Sequence, residues 1–434
     1  MITSFKNSLQ KTLKNQLVAG SAVLFLGSSI ASFGNYLFHL LMGRMLGPID
    51  YGILASLISL TYLLGIPLGS LGVVVVKYVS TFRGKGELGM IAYFYSWINK
   101  KLIPLGLAGS FLLLFFSPLI ASFLHFESSL LVLLMVVLNL VGVYQTVPGA
   151  TLQGLLRFGL VSVLGIVQVS LKLGIAVLLA YWGGKVFGAV SAMIISALVG
   201  YSLVVFWVRR LLVKPEKEGK INGREVVKYA IPVFFSTLAF TSLYTTDVVL
   251  ARHFLSAQEA GFYAALSTLG KTIVFASSPI IGVMFPLVSE HHANGRKYLN
   301  FLTLSFGLVL TVCLGISGLY FIFPGLMVRL LFGNLYLSTA SYLFLFAIFL
   351  SLYSLCSLLV NFYLSIKKTK VVVLPVIAAV AQVAFIFLFH QNLSGIVWVS
   401  ISLLSLLLVS LLVYFFLNYA KTKKAFAFRH CSRL

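Results

Sequence analysis

The sequence predicts an all-α integral membrane protein of about twelve transmembrane helices, arranged as two pseudo-symmetric six-helix halves around a central cavity. Three observations carry that expectation. Of the 434 residues, 60% are hydrophobic and only 9% are charged, against about a quarter charged in a soluble domain, and the mean hydropathy is +1.05. Apolar runs of spanning length recur along the whole chain, too long and too uniform for the short alternating strands of a barrel. Finally, the stretch from Arg44 to Leu60 returns 209 positions later, between Arg252 and Leu269. At that offset Leu46 falls on Leu255, Asp50 on Glu259, Gly52 on Gly261, Ala55 on Ala264, Leu57 on Leu266 and Leu60 on Leu269. Val79-Ser80 falls on Val288-Ser289 at the same spacing. A long internal period of this kind marks a duplicated unit.

Taken in order, residues 1–16 carry Lys6, Lys11 and Lys14 and no acid. They lack the short apolar core and small-residue cleavage site of a signal peptide. The first run, 17–42, therefore reads as a retained span, long enough to cross with some tilt. Further runs lie at about 50–79, 95–123, 128–150, 160–182 and 186–208. After a charged break come 229–251, 260–288, 299–324, 339–364, 371–390 and 395–419. The expected organisation is an N-terminal lobe at 17–208, a linker at 209–228 holding Pro215, Gly219 and Gly223, a C-terminal lobe at 229–419 and a basic tail at 420–434.

Loop charge gives the expected orientation. Alternate connections and both termini hold 26 basic residues, and the other connections hold four, Arg44, Lys185, Arg252 and Arg329. The positive-inside rule places both termini and the linker in the cytoplasm of a multi-pass plasma-membrane protein. Trp97, Trp182 and Trp207 fall near span ends, as interfacial aromatic anchors do. An even number of helices per repeat keeps both copies in one orientation, related by an axis along the membrane normal with a cavity between them.

The net charge of +23 would suggest nucleic acid in a soluble protein. Here the charges lie in short connections and no recognition motif accompanies them, so no nucleic-acid partner is expected. Cys313, Cys356 and Cys431 have no paired spacing, and the first two read as small buried hydrophobes. His291-His292 has no acids at ligand spacing, and neither metal nor cofactor is expected. Gly270-Lys271-Thr272 resembles the end of a phosphate-binding loop, but Ala265 stands where that loop needs glycine, inside a span. Asn392-Leu-Ser394 fits a glycosylation triplet, which is common by chance. Pro67, Pro148, Pro232, Pro279, Pro286 and Pro375 fall in or at the ends of helices, where they permit kinks.

Away from the interfaces, three ionisable residues stand inside spans: Lys172, Asp247 and Lys271. Both lysines fall near mid-membrane, where a charge costs about 2.5–3.5 kcal/mol and must face a wet cavity or a partner. Lysine suits phosphate or carboxylate groups as a point charge; pairing with one another or snorkelling are the alternatives. Asp247 is the candidate ion-coupling residue. Arg44, Arg252 and Lys77, near span ends, are secondary candidates for contact with a substrate head group. Arg44 and Arg252 occupy matching places in the two halves to within one residue.

Four stretches together resemble the polysaccharide-exporter branch of the multidrug/oligosaccharidyl-lipid/polysaccharide transporter superfamily. They are Gly43-Arg-Met-Leu-Gly-Pro-Ile-Asp-Tyr-Gly52, Asp247 followed by Gly261-Phe-Tyr-Ala-Ala265, Phe285-Pro-Leu-Val-Ser289, and Phe332-Gly-Asn-Leu-Tyr336. Their order and spacing hold over nearly the whole chain. The resemblance implies a flippase, not an enzyme, that moves a polyprenyl-diphosphate-linked glycan across the membrane for cell-surface polysaccharide synthesis. Basic cavity residues would then engage the diphosphate and sugar, and a glycan polymerase and glycosyltransferases would be partners beside the membrane lipids. About twelve helices fits the oligosaccharide branch better than the lipid II flippases, which usually carry two more. Cation-coupled multidrug extrusion on the same fold is the alternative; that branch often carries an acid in its first helix, and 17–42 has none.

Overall fold

The computed structural model describes residues 2–126, 128–212, 223–293, 298–366 and 368–431, and among these no strand occurs. The first half consists of α1 (Ile2–Leu64), α2 (Ile66–Lys85), α3 (Leu88–Phe115), α4 (Ser117–Phe123), α5 (Leu130–Gly154), α6 (Phe158–Tyr181) and α7 (Lys185–Leu211). The second consists of α8 (Gly223–Phe254), α9 (Ala257–Ala293), α10 (Leu299–Ile322), α11 (Pro324–Leu331), α12 (Leu343–Ser365), α13 (Val373–Leu388) and α14 (Leu393–Cys431). Single 3-10 segments at Asn334–Tyr342 and Thr369–Val372 lead into α12 and α13.

Eleven helical stretches among the described residues are long and apolar enough to cross a membrane. The first of them, Leu26–Leu64, is two crossings. Gly47 takes φ 74°, a left-handed conformation that glycine adopts without strain, and Pro48 follows it at the start of the next limb. His39 and Tyr51 prove the reversal: 3.1 Å separates the ring nitrogen from the hydroxyl, where twelve residues of straight helix would separate them by about 18 Å. The second limb continues past Gly65 into α2, which has proline in its first turn. The chain thus makes about twelve passes.

The halves repeat one packing scheme. In the first, α5 packs on α2, α3 and α7, and α6 on α1 and α7. In the second, α12 packs on α9, α10 and α14, and α13 on α8 and α14. The halves meet where α1 packs on α9 and α8, and where α2 packs on α8.

Each half also carries a short extra helix that hydropathy does not resolve. The run at 95–123 is α3 followed by α4, and the run at 299–324 stops at Ile322 before α11. Pro118 and Pro324 start these short helices, since a first-turn proline forfeits no hydrogen bond. The edges of the charged segments move too. Arg209–Leu211 end α7 and Gly223–Lys228 begin α8, because a fall in hydropathy marks exit from the membrane and not the end of a helix. The rest of the linker, with Pro215 and Gly219, lies outside the described residues, as do Arg296 and Lys297.

Candidate functional site

Lys172 stands on α6, and its ammonium donates to Asn35 Oδ1 on α1. It lies 4.5 Å from the centre of the Phe38 ring, a cation–aromatic contact. Asn35 is itself tied to its helix, its Nδ2 donating to Ala31 O at 2.9 Å. The cavity around Lys172 measures about 380 Å³, and its polar lining is Asn35, His39, Thr61, Tyr62, Gln168 and Ser196. Gln145 donates to Gln168 Oε1 at 2.9 Å and orients that wall. No carboxylate among the described residues lines it.

Lys271, on α9, lies 5.3 Å from the centre of the Tyr244 ring. Its cavity, about 70 Å³, is bounded by α1, α8 and α9 and lined in part by His39, Ser59, Tyr62, Tyr244 and Thr268. His39 and Tyr62 line both cavities, so they form the wall between the two lysines. From His39 a hydrogen-bonded chain crosses between the halves: Tyr51 hydroxyl is 3.1 Å from His39 Nδ1 and 2.8 Å from Thr268 Oγ1. A third cleft of about 440 Å³ follows the seam of α1 and α9, with Ser28, Ser29, Ser32, Tyr36, Thr272 and Ser278 on its walls. Thr272 donates to the Tyr36 hydroxyl across it at 2.8 Å.

Asp247 is fully buried on α8. Its Oδ2 accepts from the Tyr263 hydroxyl at 2.8 Å, and its Oδ1 has no hydrogen-bond partner among the described residues. Lys271 is the cation that acts on it electrostatically. One turn along α8, Gln382 of α13 donates to Leu243 O at 3.3 Å and to Ser400 Oγ at 2.9 Å, leaving its own Oε1 without a partner. A buried carboxylate oxygen without a donor is costly, and it is available to a proton or a small cation. No group of three or more His, Cys, Asp or Glu able to hold a metal occurs among the described residues.

The remaining candidates lie elsewhere. Arg44 and Arg252 sit at the rim of the molecule that bears Gly47, away from both lysine cavities. The Arg44 guanidinium donates to the carbonyls of Arg329, at 3.2 Å, and Leu330. The Arg252 guanidinium donates to the carbonyls of Leu124 and His125, each at 3.0 Å. Lys77 is exposed on α2, 5.9 Å from the centre of the Tyr78 ring, and lines neither cavity. The five basic candidates therefore form two separate groups and one outlier.

His39 is the residue that a search for charged side chains passes over. It is a fourth ionisable residue inside a span, and it lies where the two cavities meet. Its signal in the sequence is a lone histidine in the apolar run 17–42, four residues after Asn35 and so on the same helix face.

Comparison with known proteins gives three results. The family model described as polysaccharide biosynthesis protein matches residues 17–292. No curated protein matches significantly. Solved structures share the fold. An inward-facing multidrug resistance MATE transporter of the MOP superfamily is 13% identical, with 91% of this chain and 95% of that chain covered and a TM-score of 0.74. The lipid II flippase MurJ in its inward closed conformation is 16% identical over 90% and 87% of the two chains, with a TM-score of 0.67. A MOP transporter from Pyrococcus furiosus, described as having a reversed-polarity binding pocket, is 15% identical over 91% and 95%, with a TM-score of 0.62. At such identities the likeness establishes the fold, while function must be argued from the site.

Proposed function

Because the chain belongs to the polysaccharide biosynthesis protein family and has the fold of a MOP-type transporter, we propose that it is a flippase for polyprenyl-diphosphate-linked oligosaccharide in the plasma membrane. The observation that carries this reading is the pair of membrane-interior lysines, Lys172 and Lys271, in two cavities that share a wall of His39 and Tyr62. Among the described residues Asp247 is the acid near them, and Lys271 is the cation that acts on it. Among the described residues, those lining the Lys172 cavity are otherwise without formal charge. An interior with more cations than anions suits a diphosphate and disfavours the organic cations of drug extrusion, the alternative on this fold.

In this reading both termini face the cytoplasm, so the Gly47 rim faces outward and the chain works by alternating access. The head group enters from the inner side, and Lys172 and Lys271 hold its phosphates as point charges. The amide and hydroxyl groups of Asn35, Gln168 and Ser196 in the Lys172 cavity exchange their present partners for sugar hydroxyls. The polyprenyl tail remains among membrane lipids while the halves rock. Arg44 and Arg252, engaged with backbone carbonyls in the present state, meet the head group only after the rim opens. Asp247, with its unpartnered oxygen, is the proposed site of ion coupling. Glycosyltransferases supply the substrate and a polymerase consumes the product.

The test is a reconstituted assay. Purified protein in liposomes should move a fluorescent lipid-linked oligosaccharide between leaflets, and inorganic pyrophosphate should compete. A cell lacking the gene should accumulate lipid-linked glycan on the inner face. Normal export in that strain, with no paralogue present, overturns the reading.

A further inference from the structure

Arg44 and Arg252 are 208 positions apart in the chain, and so are His125 and Gly333. These four residues make a similar arrangement twice, although Arg252 takes the carbonyls of Leu124 and His125 itself and Arg44 those of Arg329 and Leu330, about a turn before Gly333. Each short helix, α4 or α11, is closed by a left-handed residue two positions past its end, His125 at φ 50° and Gly333 at φ 95°. Main-chain bonds of His125 to Ser122 O and of Gly333 to Val328 O and Arg329 O complete the turn. The last carbonyls of a helix lack intrahelical donors and form the negative end of its dipole. A guanidinium fits them: Arg252 bonds through two nitrogens, Nε and Nη2, and Arg44 through Nη2 alone. In both cases the arginine comes from the opposite half: Arg44 of α1 reaches α11, and Arg252 of α8 reaches α4.

Neighbouring contacts follow the same exchange. The Tyr336 hydroxyl donates to Gly43 O at 2.9 Å, and Phe332 packs so closely that a methyl on Gly43 would stand 2.4 Å from its ring. On the other side His253 Nδ1 donates to Phe123 O at 2.6 Å, and the two rings stack at 3.8 Å. All of these contacts lie at the Gly47 rim and all join one half to the other.

We propose that the two arginine–helix contacts are a paired latch that holds this rim shut and must release for the rim to open. The inference rests on the alternating-access reading for its purpose, but not on the identity of the substrate. Two features make the contacts a latch and not a permanent staple. They join side chain to backbone at the end of the span, where water can solvate both partners after separation; release therefore costs the net worth of hydrogen bonds and not the full penalty of orphaned polar groups in lipid. Each also grips a short helix of seven or eight residues and not a long spanning helix. The two grips act on the same separation, so their effects on the open-to-closed ratio multiply.

The experiment measures the rim directly. Spin labels are placed on Tyr181→Cys and Leu388→Cys, exposed sites ending α6 and α13, in a Cys431→Ser background, and their separation is read in purified full-length protein without substrate. The parent protein should give one short-distance population. Arg44→Gln and Arg252→Gln should each raise the ratio of long to short populations about tenfold, the worth of a charge-assisted hydrogen bond, and the double variant about a hundredfold. Arg44→Lys should fall between parent and Arg44→Gln, since lysine keeps the charge but its ammonium is more strongly hydrated than a guanidinium and gains less from the contact. Arg252 is only 5% exposed and its variant could lose the fold, so the exposed Arg44 decides. An unchanged distance distribution in folded, monodisperse Arg44→Gln overturns the latch. That outcome leaves the flippase reading standing, and failure to move lipid-linked glycan leaves the latch standing.

Discussion

Gly52 and Gly261 stand back to back: a methyl group on Gly52 would come within 2.9 Å of the Gly261 Cα. They are equivalent residues of the two repeats, and a residue that touches its own equivalent marks the pseudo-twofold axis. The axis passes through this pair, where α1 meets α9. A methyl on Gly261 would lie 1.8 Å from Pro48 O, a collision with backbone that no rotamer relieves.

Gly261→Ala should therefore destabilise the closed rim by about 1–3 kcal/mol, the usual range for overpacking. Thermal unfolding checks this, with Gly69→Ala as the comparison, since nothing lies within 4 Å of that position. Equal melting temperatures for the two variants would show that the helices can part there without cost.

Lys172→Gln and Lys271→Gln should each reduce transport of lipid-linked oligosaccharide at least tenfold in liposomes while expression and folding stay normal. Lys172→Gln should also weaken competition by pyrophosphate, because Lys172 is the cation among the described residues lining that cavity. Normal transport by both variants would make the lysines structural.

Asp247→Asn preserves the side-chain volume and an oxygen to accept from Tyr263, but removes the charge. Transport driven by an imposed ion gradient should lose its dependence on that gradient while the protein remains folded. A variant whose gradient dependence is unaltered would remove Asp247 from coupling.

Tyr51→Phe deletes the hydroxyl that links His39 to Thr268. Stability should fall by about 1 kcal/mol, with the larger share from Thr268 left without its partner. Chemical denaturation in detergent measures it; a shift in the opposite direction would mean that the hydroxyl is strained where it stands.

The passes, their number and the duplication were all legible, because hydropathy and a 209-residue echo are properties of linear sequence. The echo had a structural meaning that sequence could suggest but not locate. The match of Gly52 to Gly261 is a contact on the axis, and nothing in either stretch says that the glycines face each other. α4 and α11 were hidden because Pro118 and Pro324 sit within apolar runs, and hydropathy does not change where one helix stops and another begins. Lys172 and Lys271 were legible as interior charges, whereas their shared wall was not. His39 and Tyr62 meet there only because α1 reverses at Gly47. Arg44 and Arg252 were paired by position, but their carbonyl partners lie more than 120 positions away in the chain, and backbone acceptors leave no mark in a sequence.

The exchange of arginines has the form of an isologous interface. In a twofold homodimer, residue i of one subunit grips j of its partner, and the partner's i grips j in return. Here both subunits belong to one polypeptide, and the reciprocity survives between arginine and short helix, though the carbonyls gripped differ by about a turn. A single six-helix unit thus carries both the hand and the handle of its own grip, and two copies expressed as separate chains should assemble side by side without the peptide that now joins them.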